Sequence, residues 1–531
     1  MATQAEVNTL FLRLSRRAES VDRAKLVETF VDVGPLFTLL SSTDHQVIYG
    51  RRGTGKTHAI LYLDSTARSK GSLSVYVDLR TIGSTGGLYS DPNMPITERA
   101  TRLLMDTLAA IHDSLLEQVL DSPDLDLQRL GPVLDRLAES ITEVVVTGTV
   151  QIDESRTDSA SAHRTDGGAV SLSPDRVSAE LRSERSTEAS AQEASRVIRS
   201  GTAQHRVHFG RVGNALRDVV GAVSPRRVWV LLDEWSVVPA ELQPYLADLL
   251  RRSLFPLAGV TVKLGCIEQR THLQLTGERG DYVGIEIGAD ASADVNLDDF
   301  MVFENDPERA TRFFQELIYK HVRSLEAEHA AASDFRAASD VVQRGFTQRN
   351  TFDEFVRAAE GVPRDAINIL SLSAQRALDN QISMEDVRAA AKVWYQRDKE
   401  AAASANADAK LLLHWIIDEV IAHRRARGFL LRADDQHPLI DALFDARVLH
   451  ILKRNISSHD QPGVRYDAYK IDYGCYVDLL TTVRGPHGLL LAGDSDEDGS
   501  YLDVPPDDYR AIRRAILDLR GFETANRGVR S

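Results

Sequence analysis

The sequence predicts an α/β fold built on a parallel sheet, and two stretches predict it. The first is Gly50-Arg-Arg-Gly-Thr-Gly-Lys56-Thr57, set between the apolar run Gln46 to Tyr49 and a helix-forming run His58 to Ala67. The second is Arg227-Val-Trp-Val-Leu-Leu-Asp233-Glu234, an apolar strand that delivers two acids at its carboxyl end.

The first stretch has the spacing G-x-x-x-x-G-K-T, and each position has a chemical reason. Its glycines let backbone N–H groups close around phosphates, the lysine reaches the β/γ-phosphates, and the threonine hydroxyl meets Mg²⁺. A helix starting there adds the positive end of its dipole. Gly50, Arg51, Arg52, Gly53, Thr54, Gly55, Lys56, Thr57 and His58 are therefore the expected ATP-binding residues, in the core of a P-loop NTPase. The bland alternative is a glycine turn between strand and helix. The second stretch favours hydrolysis over binding alone. Asp233 joins Thr57 as the expected Mg²⁺ support, and Glu234 orients and deprotonates the attacking water, with Lys56 at the transferred phosphate.

With 531 residues the chain exceeds what one hydrophobic core fills, so two or three domains of about 100–200 residues are expected. A net charge of −15 argues against a whole-surface nucleic-acid binder and leaves room for a local basic patch. The two cysteines, Cys266 and Cys475, sit far apart in apolar runs, which reads as buried thiols in a reducing compartment. The N-terminus carries no basic-then-apolar leader and no apolar run reaches the roughly 18 residues of a membrane span, so a cytoplasmic protein without membrane contact is expected.

Residues 1–45 read as a helical lead-in, with Val7, Leu10, Phe11 and Leu14 at helical spacing; Phe30 and Val31 pack either on the sheet or against a base. Ser74 to Leu79 reads as a second buried strand, with Asp78 and Arg80 either paired or at the ligand edge of the sheet. Ile96 to Leu120 follows as a long amphipathic helix. Residues 121–206 read as a partly mobile insertion, with one strand at Glu143 to Ile152 followed by Asp153 to Arg206, rich in Ser, Ala, Arg and Glu. The core, 46–304, resumes with a helix near Val207 to Val220, a helix Ala240 to Leu254, and a buried strand Val260 to Ile267. That strand ends at Glu268, Gln269 and Arg270, where a polar side chain stands between metal and γ-phosphate. Residues 305–400 read as a helical lid. Within it Gly361-Val-Pro-Arg364 opens a helix, with Pro363 suited to the first turn and Arg364 directed back at the phosphates.

These motifs together resemble the AAA+ ATPases, and within them the origin-recognition clade of archaea and eukaryotes, over about two thirds of the chain. The resemblance implies that Lys56 and Thr57 are Walker A contacts, Asp233 and Glu234 the Walker B pair, Glu268 the sensor 1 position and Arg364 the catalytic sensor 2 arginine. Two departures stand against it: Glu268 lies where that family has Asn, Ser or Thr, and no arginine marks the usual trans finger, for which Arg251, Arg252 and Arg270 are the candidates.

Residues 401–531 begin with the alanine-rich linker Ala401 to Ala407, then two helices near Lys410 to Arg427 and His437 to Ala446. Strands at Val448 to Leu452 and Tyr466 to Tyr473 follow, the order of a winged helix. Asp507 to Leu519 reads as a closing helix. Arg424, Arg425, Arg427, Arg432, Lys453, Arg454, Arg465 and Lys470 give a local basic surplus for duplex DNA, interrupted by acids that suit a protein partner. The leading expectation is an ATP-driven protein, with duplex DNA, a protein partner or a homo-oligomer as its partners. The alternative is a slow nucleotide-gated scaffold that recruits an effector.

Overall fold

A computed structural model describes residues 2–16, 22–32, 34–82, 89, 91, 93–141, 144–147, 150–154, 195–199, 202–205, 207–277, 280–300, 306–423, 426–435, 437–457, 462–481 and 515–527. Among these residues no helix is long and apolar enough to cross a membrane.

Five parallel strands form the central sheet: β1 (Gln46–Tyr49), β2 (Leu73–Asp78), β3 (Val228–Asp233), β4 (Val260–Cys266) and β5 (Ser292–Asn296), in the order β5-β1-β4-β3-β2. Register pairs Val47 with Leu264, Leu232 with Leu264, and Asp78 with Asp233. Strands β3 and β4 are buried at every position, because helices cover both faces; that is why they read as unbroken apolar runs. One face carries Ile96–Asp121, Leu127–Ile141, Phe209–Val223 and Gln243–Ser253. The other carries the helix Lys56–Ser69 together with Phe30, Leu36 and Leu40. Neighbouring β1 and β4 have their crossovers on opposite faces, so the crevice at their carboxyl ends is where such sheets bind ligands.

Within 121–206, read as a partly mobile insertion, the helix Leu127–Ile141 packs on the sheet. Its Leu130, Leu134, Leu137 and Ile141 fall on one stripe and are buried in the core of the sheet domain. Beyond it the one expected strand is two, and the ladder is antiparallel: Val144–Thr147 pairs with Thr202–His205, and Val150–Glu154 with Ser195–Arg199. Residues 155–194 lie outside the described residues.

The lead-in divides between two neighbours. Helix α1 (Gln4–Leu12), closed at its start by a Thr3/Glu6 capping box, packs Val7, Leu10 and Phe11 among the lid helices, and Asn8 Nδ2 donates to Asn380 O at 2.9 Å. Phe30 instead stacks on Tyr62 at 3.9 Å, on helix α2 (Lys56–Ser69) of the core, while Val31 packs against the lid. The lid itself contains α3 (Pro307–Arg323), Arg349–Ala359, α4 (Pro363–Ala377) and Met384–Trp394.

The alanine-rich stretch expected to be a linker is helical over Glu400–Ser404, since alanine is the best helix former. Asn406 then caps the next helix, Ala407–Ile416, by accepting from the N–H groups of Asp408 and Ala409. The C-terminal unit has β6 (Gly428–Arg432), α5 (Pro438–Asp445), β7 (Leu449–Ser457) and β8 (Arg465–Ile471), with antiparallel sheet order β6-β8-β7. It differs from the sequence reading at two places: β6 lies in the stretch left unassigned between the two expected helices, and Tyr473 opens the helix Tyr473–Thr481 rather than extending β8. The closing helix spans Leu519–Arg527; residues 507–514 of the expected one lie outside the described residues. Both cysteines are free and buried.

Core, lid and C-terminal unit meet at a buried ionic junction. Lys399 Nζ lies 2.9 Å from Asp365 of α4 and 2.5 Å from Asp472, and Arg447 Nε lies 3.3 Å from Asp365. Beside it Glu360 takes Arg427 at 2.5 Å, the Lys470 ammonium and the Tyr473 N–H at 3.1 Å. Glu360, His450 and Asp472 stand close enough to ligate a metal, but their lone pairs face Lys470, Arg427 and Lys399, which an incoming cation would have to displace. Burial disfavours charge on Asp365, and Arg447 and Lys399 outweigh it, so its carboxyl is held below the ordinary value. A lowered carboxylate pKa contributes stability above the unfolded value of about 3.9 and loses it as pH falls further. The denaturant midpoint of the protein therefore falls below about pH 4, and an Asp365→Asn protein, weaker at neutral pH, shows a shallower acid slope. Equal slopes would contradict the assignment.

Candidate nucleotide site

The loop after β1 turns through Gly53 at φ +90° and Gly55 at φ +97°. A Cβ at Gly53 would fall 2.9 Å from Cβ of Arg364, so the missing side chain is what lets the lid approach the loop. Lys56 is buried, and its Nζ donates to the loop's own carbonyls, Gly50 O at 2.6 Å and Arg51 O at 3.2 Å. Burial lowers its pKa, against the opposing pull of Asp233, Glu234 and Asp298. An ammonium held on two carbonyls of a glycine-rich loop is suited to phosphate oxygens.

Thr57 Oγ1 donates to Asp233 Oδ2 at 2.7 Å, across 176 positions of sequence. Asp233 is fully buried at the end of β3, and its other oxygen accepts from the Glu234 N–H at 2.8 Å. Strand β4 can pass this close because position 265 is glycine: a Cβ there would lie 2.4 Å from Asp233 Oδ1. Glu234 adopts a left-handed backbone, φ 58°, a conformation uncommon for non-glycine residues. Its carboxylate lies 3.8 Å from Arg80 Nη1, while Arg80 also pairs with Asp78 at 2.6 Å. Both readings of Asp78 and Arg80 thus describe parts of one arrangement.

A cavity of about 290 Å³ unites these groups. Arg52, Gly53, Gly55, Lys56, Thr57 and His58 line one end, with Glu234 and Arg80 beside them, and Arg364 of α4 lines it from the lid. The Arg364 N–H donates to Gly53 O at 3.2 Å. Asp233 stands behind Thr57. Ser15, Arg16, Leu26, Thr29, Val237, Leu317, His321 and Ile367 also line the cavity; sequence reading missed them because the lead-in and α3 show only ordinary apolar spacing.

Arg51 corrects the expectation that every loop residue faces the nucleotide. Its N–H donates to Asp298 Oδ2 at 2.9 Å and its Nε to Asp298 Oδ1 at 2.7 Å. The rest of the guanidinium enters the C-terminal unit: Nη1 donates to Leu449 O at 2.9 Å, Nη2 lies 3.2 Å from His450 Nδ1, and the group stacks 4.2 Å above Phe444. Neither Gly50 nor Thr54 lines the cavity; Thr54 Oγ1 closes the loop by donating to Arg51 O at 2.9 Å.

The position after β4 also differs from expectation. Glu268 pairs with Arg454 of β7 at 2.7 Å and accepts from Asn296 Nδ2 at 3.2 Å, rather than standing in the cavity. A carboxylate is repelled by phosphate and attracted to a cation, which accounts for the choice. The three finger candidates are engaged within the chain: Arg270 with Asp445, Arg251 at 2.8 Å and Arg252 at 2.7 Å from Asp248. Of the expected DNA-facing cations, Lys470 is buried and Arg427 half-buried against Glu360, and Arg454 is held by Glu268. Arg424 and Arg425 lie outside the described residues; Arg432, Lys453 and Arg465 are exposed.

Removing Arg51 strands the buried Asp298 carboxylate and the carbonyl of Leu449. Arg51→Ala lowers unfolding free energy by about 3–5 kcal/mol in denaturant titration, while nucleotide affinity stays at the wild-type level. A selective loss of affinity with stability intact would return Arg51 to the phosphate site.

Residues 14–83 match the family model described as ORC-CDC6-like. No curated protein matches the chain. Among solved structures, that of the Aeropyrum pernix Orc1 protein in complex with DNA is similar at 13% identity, over 88% of this chain and 95% of that one, with a TM-score of 0.27, too low for an argument about architecture. The matched residues hold β1, the Gly50–Thr57 loop, α2 and β2, and it is this segment that is similar to the ORC-CDC6-like proteins.

Proposed function

We propose that the protein binds ATP with Mg²⁺ between lead-in, phosphate loop and lid, and hydrolyses it. The observation that carries this reading is the 2.7 Å contact of Thr57 with Asp233, on a cavity that Lys56, Glu234 and Arg364 share. Thr57 and Asp233 are hard oxygen donors set side by side, and they fit Mg²⁺, which takes one or two protein oxygens and leaves its other positions to water and phosphate. When bound, the ion neutralises charge on the phosphate oxygens.

The chain's own groups do the rest. The Lys56 ammonium exchanges Gly50 O and Arg51 O for β/γ-phosphate oxygens. Glu234, on the cavity wall, accepts the proton of the attacking water, with Arg80 Nη1 3.8 Å from its carboxylate. Arg364 brings lid charge to the phosphates, and since its own N–H rests on Gly53 O, triphosphate and lid angle are set together. We divide the chain accordingly into lead-in, core 46–304, lid 305–400 and C-terminal domain 401–531, with the insertion in 121–206 starting beyond Ile141. The C-terminal domain acts on duplex DNA or a DNA-bound partner, with Lys453, Arg465 and Arg432 as the exposed cations for phosphate contact. A cytoplasmic setting accords with the reduced, buried thiols.

A second reading, a nucleotide-gated scaffold that turns over slowly, draws support from the capture of Glu268 by Arg454 and of every finger candidate by an acid. Turnover separates the two. Lys56→Ala abolishes ATP binding in calorimetry, whereas Glu234→Gln binds ATP normally and releases phosphate about 10²–10⁴-fold more slowly. Wild-type phosphate release well above the uncatalysed rate and unchanged in Glu234→Gln would remove Glu234 from the chemistry; wild-type release at the uncatalysed rate would favour the scaffold.

A further inference from the structure

The phosphate loop occupies one end of the cavity. The rest of its wall includes Leu26 and Thr29 of the lead-in, Leu317 and His321 of α3, and Ile367 of α4, with His58 of the loop helix adjoining Leu26. Three aliphatic side chains there suit the two faces of a planar base. The polar groups beside them use their protons on main-chain carbonyls: Thr29 Oγ1 donates to Lys25 O at 2.8 Å, and His58 Nε2 lies 2.8 Å from Leu26 O.

His321 is the clearest case. Its Nδ1 lies 2.8 Å from Leu317 O, and because a carbonyl only accepts, that nitrogen carries the proton. Burial pushes the imidazole pKa down to about 4, so the ring is neutral at physiological pH. In a neutral imidazole with Nδ1 protonated, Nε2 is an acceptor. Among the described residues nothing donates to it, and the side chain forms part of the cavity wall.

We infer that His321 determines base specificity: its Nε2 accepts a hydrogen bond from an exocyclic amine, such as adenine carries, on a base held between Leu26, Leu317 and Ile367. The inference rests on the nucleotide reading above and adds which base edge the site reads. A base without the amine leaves Nε2 facing the ligand unpaired, and a carbonyl at the same place sets two acceptors against each other. A site built to pair one polar group discriminates against a ligand that lacks it.

The test is competitive displacement of a ribose-labelled fluorescent ATP from the full-length protein with Mg²⁺, by ATP and by purine riboside triphosphate, which differs only in lacking the amine. Wild-type protein prefers ATP by about tenfold, the worth of one hydrogen bond. His321→Ala binds the two alike, and His321→Gln, whose amide oxygen restores an acceptor, regains the preference; thermal midpoints confirm that both variants fold. Equal binding by the wild type, or a preference that survives in His321→Ala, overturns the inference and leaves the nucleotide reading standing. Displacement by neither triphosphate overturns the nucleotide reading, and the inference with it.

Discussion

The hydrogen bond between Thr57 and Asp233 is the contact on which the site depends. It joins the start of α2 to the end of β3, and it forms only because β4 lies between β1 and β3 in the sheet. Gly265 on that intervening strand leaves room for the carboxylate. A side chain there would push Asp233 away from Thr57 and separate the two oxygens that suit a magnesium ion. The geometry of the site is thus a consequence of strand order and of one missing Cβ, before any ligand is considered.

A second constraint is the use of the phosphate loop as a structural joint. Arg51 sits within the loop, yet its guanidinium is bound to Asp298 of the core and to Leu449, His450 and Phe444 of the C-terminal unit. Arg52 continues the theme, its carbonyl accepting from Arg447 at 3.3 Å. Arg447 in turn reaches Asp365, the residue after Arg364. Burying so many charges is costly, and breaking one pair leaves its partner uncompensated. The loop, the lid arginine and the C-terminal unit are therefore held in one rigid arrangement, in which displacement of any member strands a buried charge elsewhere.

Much of this was legible in the sequence, and the limits were physical. The loop Gly50–Thr57 and the acids at Asp233-Glu234 declare themselves because their chemistry requires fixed local spacing. Helix α4 was legible because Pro363 and the apolar stripe beyond it are local signals. Arg51 was not, since its partners lie 247 and 399 positions away and its neighbours in sequence point to a phosphate role. Glu268 was misplaced for the same reason: Arg454 is 186 positions distant. The helix Leu127–Ile141 was hidden by the composition of the whole 121–206 stretch, although its Leu130, Leu134 and Leu137 carry the helical period. The cavity wall formed by Leu26, Thr29, Leu317, His321 and Ile367 left no sequence signature, because it is assembled from two helices and a lead-in that meet only in the fold.

The central claim is that the loop divides its labour, with Lys56 serving phosphate and Arg51 serving the C-terminal unit. The most direct measurement is a crystal structure with Mg²⁺ and a non-hydrolysable ATP analogue. The account predicts that the Lys56 amine leaves Gly50 O for the terminal phosphates while Arg51 keeps Asp298 and the carbonyl of Leu449. An analogue bound away from Lys56, or an Arg51 side chain turned onto the phosphates, would contradict it.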